Sequence, residues 1–329
     1  MIERKITNSK VLVTGVAGFI GSNLANDLLL NDNQVIGLDS FITGKKENIV
    51  STLKHPNFTL VEGDIRDKEI CNHVCSGVDY VLHQAALGSV PRSIEDPFKT
   101  NDININGFLT MLISASDAKV KRFVYATSSS VYGTEKRLPK VEEQIGDPLS
   151  PYAITKGVNE QYAKVFGELY GMKSIGLRYF NVFGAQQDPD GAYAAAIPKF
   201  IRQFVRHESP IIHGDGTQSR DFTYIDNVIQ ANNLAAISTN PDAHNEVFNV
   251  AFGESTNLDE LVQLLQELLV KFDPEIANVE IKYGPERVGD VRHSLASIVK
   301  STTLLGYKPE QDLRTGLETA IAWYWENLH

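Results

Sequence analysis

The stretch that decides the fold lies near the N-terminus, where Lys10–Thr14 (KVLVT) leads into Gly15–Gly21 (GVAGFIG). The first segment is a compact run rich in β-branched residues and predicts a buried strand. A helix-like pattern follows over Phe19–Leu30. Glycines between a strand and a helix let the backbone turn tightly, admit a diphosphate and bring the helix close to the strand. Because a helix N-terminus also favours an anion, this stretch predicts a dinucleotide-binding turn.

Further apolar runs follow at intervals long enough for helices. They are Val35–Asp39, Phe58–Asp64, Tyr80–Gln84, Arg122–Thr127 and Ser174–Tyr179. Strands that are apolar throughout and alternate with helices indicate a parallel sheet covered on both faces. Right-handed crossovers then give the predicted fold class, an α/β protein with a doubly wound parallel sheet of the Rossmann type.

The second half of the chain predicts a smaller α/β lobe. Its helical patterns are Ala192–Arg206, Leu258–Lys271 and Asp312–Leu328, and its strand-like pieces are Pro210–His213 and Asp221–Tyr224. We expect residues 1–182 to bind the dinucleotide and residues 183–329 to bind a substrate. No low-complexity linker separates the two parts, so we expect them to be closely joined, with segments near 221–252 returning to the first lobe.

Composition excludes several classes of function. The 329 residues carry 31 Lys and Arg against 41 Asp and Glu, a formal charge of −10, which argues against a nucleic-acid partner. The segment MIERKITNSK lacks the apolar core of a signal peptide, and no stretch approaches the ~20 apolar residues of a membrane span. We therefore expect a cytoplasmic protein with no membrane partner. Cys71 and Cys75 flank His73 in a predicted helix, and we interpret them as small buried residues rather than metal ligands.

Two acidic residues follow predicted strands. Asp39 lies 18 residues after Gly21, where a carboxylate can bind the ribose hydroxyls and repel a 2′-phosphate, so NAD is favoured over NADP despite Lys45 and Lys46 nearby. Asp64 either faces the adenine amino group or caps the next helix, and the sequence leaves both readings open.

Tyr152 and Lys156 (YAITK) form the candidate catalytic pair, with Ser128 upstream. Residues four apart share one face of a helix. A phenol with a reference pKa near ~10 is a poor base at neutral pH. We expect the Lys156 ammonium and a positively charged nicotinamide to lower the pKa of Tyr152. Ser128 ends a predicted buried strand, where its hydroxyl can relay the substrate's proton.

These motifs make the chain similar to the extended short-chain dehydrogenase/reductase superfamily. The segments VTGVAGFIG, DIRD, HQAA, TSSSVYG, YAITK and RYFNVFG occur in the order and spacing of that superfamily, from Val11 to about Trp325. Within it, His83–Ser93 (HQAALGSVPRS) and Arg287–Ser294 (RVGDVRHS) resemble the nucleotide-sugar 4-epimerases, specifically the bacterial UDP-N-acetylglucosamine 4-epimerase group of the UDP-hexose 4-epimerases.

The resemblance implies a role for each matching residue. Ser128, Tyr152 and Lys156 match the catalytic triad. Positions that contact NAD in the family are Gly15, Gly18, Phe19, Ile20, Gly21, Asp39, Asp64, Ile65, Gln84, Ala85, Ala86, Asn104 and Tyr179, together with Tyr152 and Lys156. Positions that hold the uridine diphosphate are Asn181, Lys199, Gly214, Arg220, Arg287 and Asp290. Positions on the sugar side are Ser89, Ser129 and Ser294, beside Ser128 and Tyr152.

The resemblance also implies the reaction and the assembly. Tyr152 would take the proton of the sugar 4-hydroxyl while C4 gives hydride to NAD, and return of the hydride to the other face would invert C4. Ser294 stands where epimerases restricted to plain hexoses carry tyrosine, so a 2-acetamido group is expected to fit. The family usually forms homodimers through two helices per subunit, here expected at Pro97–Asp117 and Pro151–Tyr170.

Three alternatives remain. A 4,6-dehydratase follows the relay residue with an Asp–Glu pair, whereas this chain has Ser129 and Ser130. A UDP-glucuronate 4-epimerase or decarboxylase would need a cation for the 6-carboxylate, for which Arg92 and Arg292 are candidates. A non-enzymatic NAD sensor on the same fold typically loses the Tyr or the Lys of the catalytic pair, and both are present here.

Overall fold

Seven parallel strands form the centre of the molecule. The computed structural model describes residues 4–189, 195–285 and 292–328. The strands of the central sheet are β1 (Lys10–Thr14), β2 (Gln34–Asp39), β3 (Phe58–Glu62), β4 (Tyr80–His83), β5 (Arg122–Ser128), β6 (Ser174–Tyr179) and β11 (Glu246–Val250). The short strands outside it are β7 (Val182–Phe183), β8 (Ile211–His213), β9 (Ser219–Arg220), β10 (Thr223–Tyr224), β12 (Thr256–Asn257) and β13 (Lys282–Gly284).

Helices alternate with these strands along the chain. They are α1 (Phe19–Leu30), α2 (Lys68–Cys75), α3 (Val90–Glu95), α4 (Pro97–Asn101), α5 (Phe108–Asp117), α6 (Pro151–Tyr170), α7 (Ala196–Val205), α8 (Ile225–Ile237), α9 (Leu258–Leu269), α10 (Val299–Leu305) and α11 (Leu313–Asn327). A π-helical turn over Asp102–Gly107 joins α4 to α5.

The strand order fixes where a ligand can bind. The sheet runs β11-β6-β5-β4-β1-β2-β3, and every neighbouring pair in it is parallel. The chain therefore winds outward in both directions from β1, and the strand order reverses between β1 and β4. In doubly wound sheets the ligand crevice lies at this point, outside the carboxyl ends of the strands. The predicted Rossmann fold class is confirmed.

Alternate residues of β1 pack into two different cores. Val11 and Val13 join the apolar cluster under α1 and α8, whereas Leu12 joins the cluster under α2, α5 and α6. This division follows from the two-residue repeat of a strand, whose successive side chains point to opposite faces. Both faces of the sheet are therefore covered, as a buried parallel sheet requires.

The second half of the chain shares a core with the first. Buried residues of α7, α9 and α11 belong to the same apolar cluster as those of α1 and α8. Two elements beyond residue 182 also complete the central layers, since β11 pairs with β6 and α8 packs on the sheet. The pairs β8–β13 and β9–β12 lie at the outer part of this half.

Two predicted elements differ from the observed ones. The single helix expected at Pro97–Asp117 is α4, a π-helical turn and α5 in sequence, and π turns are frequent at functional sites. The strand expected at Asp221–Tyr224 is reduced to β10, because its partner β7 has only two residues, which pair with Thr223 and Tyr224. The remaining predicted elements lie within two residues of the observed ends; the start of the helix expected at Ala192–Arg206 falls outside the described residues, and its described part is α7.

A buried ion pair ties α6 to the sheet. Arg178 of β6 donates through Nε and Nη2 to the two carboxylate oxygens of Glu160 in α6, at 2.9 and 2.8 Å. Thr127 of β5 donates to the same carboxylate at 2.7 Å. The Arg178 side chain is only 3% exposed, so neither charge is screened by bulk water.

Removing one partner of this pair should destabilise the fold strongly. We expect Arg178→Met to lower the free energy of unfolding by about 3–5 kcal/mol, because it leaves the Glu160 charge buried and unpaired. Urea denaturation measures the loss. The control is Arg314→Met, which breaks an exposed pair with Glu267 and should cost less than about 1 kcal/mol. Equal losses in the two variants would contradict a structural role of the buried pair, and Glu160→Leu added to Arg178→Met should recover part of the stability.

Candidate active site

Two close backbone approaches explain the glycine loop after β1. Gly15 has a positive φ of 68°, and a Cβ there would lie 2.8 Å from the backbone nitrogen of Ala85. A Cβ on Gly21 would lie 2.1 Å from the carbonyl oxygen of Gly15. A side chain at either position would push α1 or the loop after β4 away from β1. The glycines therefore create the tight crevice in which backbone amides and the N-terminus of α1 can bind a diphosphate.

A first cavity opens beside this loop. Its lining residues are Gly15, Gly18, Leu38, Asp39, Ser40, Ile42, Thr43, Gly44, Gly63, Asp64, Ile65, Gln84, Ala85, Ala86, Leu87 and Ile103. Asp39 ends β2 and accepts hydrogen bonds from the backbone N–H groups of Ala17 and Phe41, each at 2.8 Å. Burial raises the pKa of Asp39 against these bonds. Its carboxylate thus holds the glycine loop as well as lining the cavity.

The cations near Asp39 have carboxylate partners of their own. Lys45 pairs with Asp188 at 2.9 Å and Lys46 pairs with Glu62 at 3.6 Å. The two lysines that weighed against NAD in the sequence are therefore engaged in ion pairs, and the charged groups that line the cavity are the carboxylates of Asp39 and Asp64.

Asp64 does not cap the next helix. The N-cap of α2 is Asp67, whose side chain accepts from the N–H groups of Glu69 and Ile70. Asp64 lines the first cavity and binds Arg66, which lowers the pKa of the Asp64 carboxyl. The capping alternative was wrong because DIRD contains two aspartates and only the second stands directly before the helix.

A second cavity continues from the first towards α6. Its volume is about 360 Å³ and its lining residues are Gly15, Gly18, Phe19, Ile20, Gly21, Gln84, Ala86, Gly88, Ala126, Thr127, Ser128, Tyr152, Lys156, Tyr179 and Val182. The two cavities share Gly15, Gly18, Gln84 and Ala86. Together they bring every residue predicted to contact the cofactor, except Asn104, to one crevice across β1 and β4.

Asn104 lies behind this crevice. Its amide oxygen accepts from the N–H of Leu87 at 2.8 Å, and its amide nitrogen donates to the Leu87 carbonyl and to Thr155 Oγ1, both at 3.2 Å. Asn104 therefore ties the loop after β4 to α6. It is not among the residues that line either cavity.

The N-terminus of α6 places the candidate catalytic pair. Ser150 caps the helix by accepting from the N–H of Ala153, and Pro151 occupies the first helical position, which suits its fixed φ. Tyr152 therefore lies in the first turn, and Lys156 lies one turn further on the same face. Lys156 Nζ donates to the carbonyl of Ala126 in β5 at 2.8 Å and lies 5.9 Å from the centre of the Tyr152 ring.

Burial dominates the pKa values of this pair. It raises the pKa of Tyr152, while a side-chain hydrogen bond with Ser128 lowers it. Burial also lowers the pKa of Lys156 to about 8. Without a bound cofactor, the pKa of Tyr152 is raised, whereas we expected Lys156 to lower it. The Lys156 ammonium is directed to the Ala126 carbonyl, and desolvation dominates the pKa of the phenol.

A third cavity, of about 500 Å³, adjoins the pair on the other side. We call it the sugar cavity because Ser89, Ser129 and Ser294, which the resemblance places on the sugar side, line it. It is lined by Gly88, Ser89, Val90, Pro91, Ser128, Ser129, Ser130, Tyr132, Gly133, Lys140, Leu149, Ser150, Tyr152, Tyr179, Phe180, Asn181, Arg220 and Ser294. Ser128, Tyr152 and Tyr179 line the second cavity as well. Among the described residues that line the sugar cavity there is no carboxylate, and the cations are Lys140 and Arg220.

A fourth cavity, of about 230 Å³, lies beyond Asn181 and Arg220, which line both it and the sugar cavity. Its lining residues are Asn181, Val182, Phe183, Gln187, Ala195, Ala196, Ile197, Lys199, Phe200, Ile211, His213, Arg220, Phe222 and Leu258. The predicted Lys199 is present, and Gly214 follows His213 at a positive φ of 100° without lining the cavity itself. Arg287 and Asp290 lie outside the described residues.

Asp221 holds Arg220 between these two cavities. The Asp221 side chain is fully buried and accepts from the N–H groups of Phe252, Gly253 and Ala296. Its backbone carbonyl accepts from the Asn181 side chain at 3.1 Å. Burial raises the pKa of Asp221 to about 7. Asp221 thereby joins β9, the end of β11 and the segment that carries Ser294, which fixes the wall around Arg220.

Several other residues named from the sequence lie away from the cavities. Arg292 is exposed and pairs with Asp215 at 2.6 Å, and neither it nor Arg92 lines the sugar cavity.

Cys71 and Cys75 are buried, and burial raises the pKa of each thiol to about 12. The part of the chain that the structure describes contains no group of three or more His, Cys, Asp or Glu residues arranged to hold a metal ion. It also contains no helix that is long and apolar enough to span a membrane.

Sequence reasoning missed some residues that line the cavities. Lys140, Gln187, His213 and Phe222 carry no motif that marks them. The sequence offered one signal for two of them: Gln187 stands three residues after the segment RYFNVFG, and His213 ends the predicted strand Pro210–His213. Lys140 had none, because it reaches the cavity only through contacts with residues far along the chain.

Comparisons with known proteins agree with this geometry. Residues 11–251 match the family model described as the NAD dependent epimerase/dehydratase family. A UDP-glucose 4-epimerase of Mycolicibacterium smegmatis is 31% identical over 317 residues, which cover 96% of this chain and 98% of that protein. A UDP-N-acetylglucosamine 4-epimerase from Methanobrevibacter ruminantium, solved with UDP-N-acetylmuramic acid, is 38% identical with a TM-score of 0.91, over 98% of this chain and all of that one.

A second solved structure contains the cofactor. The UDP-glucuronic acid 4-epimerase of Bacillus cereus, in complex with UDP-glucuronic acid and NAD, is 32% identical with a TM-score of 0.87, over 97% of this chain and all of that one. The chain therefore belongs to the NAD dependent epimerase/dehydratase family, and its resemblance to the extended short-chain dehydrogenases/reductases is confirmed. It is an NAD-dependent epimerase, and the glycine crevice with Asp39 at its edge fits that cofactor.

Proposed function

We propose that the protein is a UDP-sugar 4-epimerase that interconverts UDP-N-acetylglucosamine and UDP-N-acetylgalactosamine, and also UDP-glucose and UDP-galactose. One observation carries the proposal. Ser128 and Tyr152 line both the dinucleotide crevice and the sugar cavity. These two side chains can therefore remove a proton from a bound sugar next to the place where a cofactor in the crevice would accept its hydride. The four cavities fit the nicotinamide and adenine ends of NAD, a hexose and a uridine.

The proposed mechanism begins with proton removal from the sugar 4-hydroxyl. Tyr152 is the base, and Ser128 orients the hydroxyl and relays its proton. NAD supplies, when bound, the group that oxidises C4 and then reduces it, and its positive charge opposes the desolvation that raises the pKa of Tyr152. Lys156, one helical turn away, is held by Ala126 where its ammonium can bind the cofactor's ribose.

Inversion requires the 4-keto sugar to turn over while the rest of the substrate stays bound. We assign the uridine to the fourth cavity and call it the uridine cavity. Arg220 and Asn181 line both it and the sugar cavity, which is where the diphosphate linking the two groups would lie. A guanidinium fork matches a diphosphate in geometry. The sugar end meets mainly hydroxyl groups and small residues, which give room for the rotation.

The same cavity argues against a 4,6-dehydratase. Elimination of water across C5 and C6 needs one group to remove the C5 proton and another to protonate the leaving hydroxyl. Ser129 and Ser130 stand where that acid and base are required, and none of the described lining residues is a carboxylate. The keto sugar therefore has no partner for elimination and is reduced again.

Replacing the proposed base should abolish the reaction. We expect Tyr152→Phe to lower kcat for UDP-N-acetylglucosamine by about 100-fold or more, the usual worth of a positioned general base. Product analysis without added NAD measures turnover and cofactor retention together. Tyr170→Phe, at an exposed tyrosine of the same helix, is the matched control and should be unaffected.

The same assay decides between the alternatives. UDP-glucuronate is offered separately, with carbon dioxide and the C4 epimer as its possible products. A wild-type protein that converts UDP-glucuronate and leaves UDP-N-acetylglucosamine unchanged would contradict the proposed substrate. A protein that binds NAD and converts no sugar would contradict the enzyme activity itself.

Ser294 is the proposed determinant of sugar size. Its side chain is buried at the wall of the sugar cavity, where a small residue leaves space for a 2-acetamido group. We expect Ser294→Tyr to remove turnover of UDP-N-acetylglucosamine and to spare UDP-glucose. Ser294→Ala adds no volume and should retain both activities. Equal loss of both substrates in Ser294→Tyr, measured as kcat/KM, would contradict the assignment.

We also propose that α4 and α6 form the interface of a homodimer. On α6, Ile154, Val158, Tyr162, Val165 and Leu169 recur at helical spacing and form one apolar stripe that faces away from the sheet core. Ile154, Tyr162, Val165 and Leu169 of this stripe are exposed. The neighbouring helix α4 adds Phe98, which is 88% exposed. A contiguous exposed apolar surface of this kind marks a protein interface.

The interface can be tested by light scattering in solution. We expect Phe98→Glu combined with Leu169→Glu to convert a dimer into a monomer, because two charges on each subunit would be buried at the contact. Leu30→Glu, at an exposed leucine of α1, is the control and should remain dimeric. An unchanged mass for the double variant would contradict the proposed interface.

A further inference from the structure

Lys140 is a buried cation that the mechanism above does not use. It lies in the connection between β5 and α6, is only 4% exposed and lines the sugar cavity. Lysine is almost never this deeply buried unless its charge has a partner. Its position therefore needs a physical reason.

The backbone of Lys140 is fixed to the wall that carries Ser294. Its N–H donates to the Leu295 carbonyl at 2.7 Å, and its carbonyl accepts from the Ser297 N–H at 2.8 Å. On the other side, the Asn249 amide donates to the same carbonyl at 3.0 Å. Lys140 and Ser294 thus belong to one wall of the cavity, and neither lines the uridine cavity.

The ammonium of Lys140 has unused hydrogen-bonding capacity. Within the described residues, Nζ donates to one acceptor, the backbone carbonyl of Glu135. The carboxylate of Glu135 is hydrogen-bonded by Arg137, and no hydrogen bond joins it to the Lys140 ammonium among the described residues. An ammonium carries three donors and no acceptor, which leaves two donors for a ligand. Burial lowers the pKa of Lys140, and the nearby charge of Glu135 offsets this effect only in part.

We infer that Lys140 is a specificity-determining residue that donates a hydrogen bond to the carbonyl oxygen of the sugar's 2-acetamido group. This inference rests on the proposed function. A carbonyl oxygen only accepts, so it complements an ammonium that only donates. A sugar that carries a hydroxyl in place of the acetamido group can hydrogen-bond to the hydroxyls of Ser128, Ser129 and Ser130 in the same cavity, and does not need the ammonium. Ser294 then supplies the volume for the acetamido group, and Lys140 supplies its polar contact.

The test compares two sugars in Lys140→Met, which keeps the length of the side chain and removes its donors. Calorimetry gives Kd for UDP-N-acetylglucosamine, UDP-glucose, UDP-glucuronate and UDP, and steady-state kinetics separate KM from kcat. We expect Kd and KM for UDP-N-acetylglucosamine to rise about 10- to 100-fold, the worth of a hydrogen bond to a charged group. UDP-glucose and UDP should bind as in the wild type.

Two control variants accompany the test. Lys300→Met removes another largely buried lysine, which pairs with Glu246 at 2.8 Å away from the cavity, and should leave both sugars unaffected. Lys140→Gln keeps a donor without the charge and should restore part of the selectivity. Thermal melting checks that each variant is folded. If Lys140→Met is not folded, Lys140→Gln takes its place in the comparison of the sugars.

Every other result of this experiment contradicts either the inference about Lys140 or the proposed function. Equal weakening of UDP-N-acetylglucosamine, UDP-glucose and UDP would mean that Lys140 only holds the loop at Glu135, and would overturn the inference. Selective weakening of UDP-glucuronate alone would assign Lys140 to a sugar carboxylate, and would also overturn it. A wild type that binds UDP-N-acetylglucosamine through Lys140 without converting it would overturn the proposed function and leave the inference standing.

Discussion

The buried ion pair between Glu160 and Arg178 is the contact on which the geometry of the active site depends. Glu160 lies one turn beyond Lys156 on α6, and Arg178 directly precedes Tyr179 at the end of β6. Thr127, which donates to the same carboxylate, directly precedes Ser128. The charged pair, together with Thr127, therefore sets the relative positions of three elements that each carry an active-site residue. Since both charges are shielded from water, displacement of α6 from β6 leaves a charge unpaired.

The strand order turns this local arrangement into a site for two ligands. The reversal between β1 and β4 opens the crevice for the dinucleotide, and the second half of the chain closes over the carboxyl ends of β5 and β6. Under the proposed function, a protein with a formal charge of −10 binds two diphosphates through different chemistry. One proposed site uses glycine backbone and a helix N-terminus, and the other uses the guanidinium of Arg220. Net charge describes the solvated surface and does not predict such enclosed anion-binding sites.

Local patterns predicted most of the fold and the cofactor crevice. The structure of KVLVTGVAGFIG could be predicted from its own residues, because strand, turn and helix follow one another along it, although β1 forms only by pairing with β2 and β4. The placement of Asn104 and Lys140 could not be predicted in this way. Asn104 depends on the backbone of Leu87, and Lys140 depends on a bridge to Ala296 more than 150 residues away. The direction of the Tyr152 pKa shift could not be predicted for a related reason. It reflects burial by the whole fold rather than the four-residue spacing to Lys156.

The polar groups of the sugar cavity explain how one site can permit rotation and still discriminate. A keto sugar that must present both faces to the crevice cannot be held by many directional contacts at its ring, so tight binding belongs at the diphosphate and uridine. Hydroxyl groups suit the ring because serine side chains rotate and both donate and accept. In the proposed mechanism, the absence of carboxylates among the described lining residues protects C5 while the ketone exists. The proposed selectivity then depends on the wall of Ser294 and Lys140, which acts on a substituent rather than on the carbon that reacts.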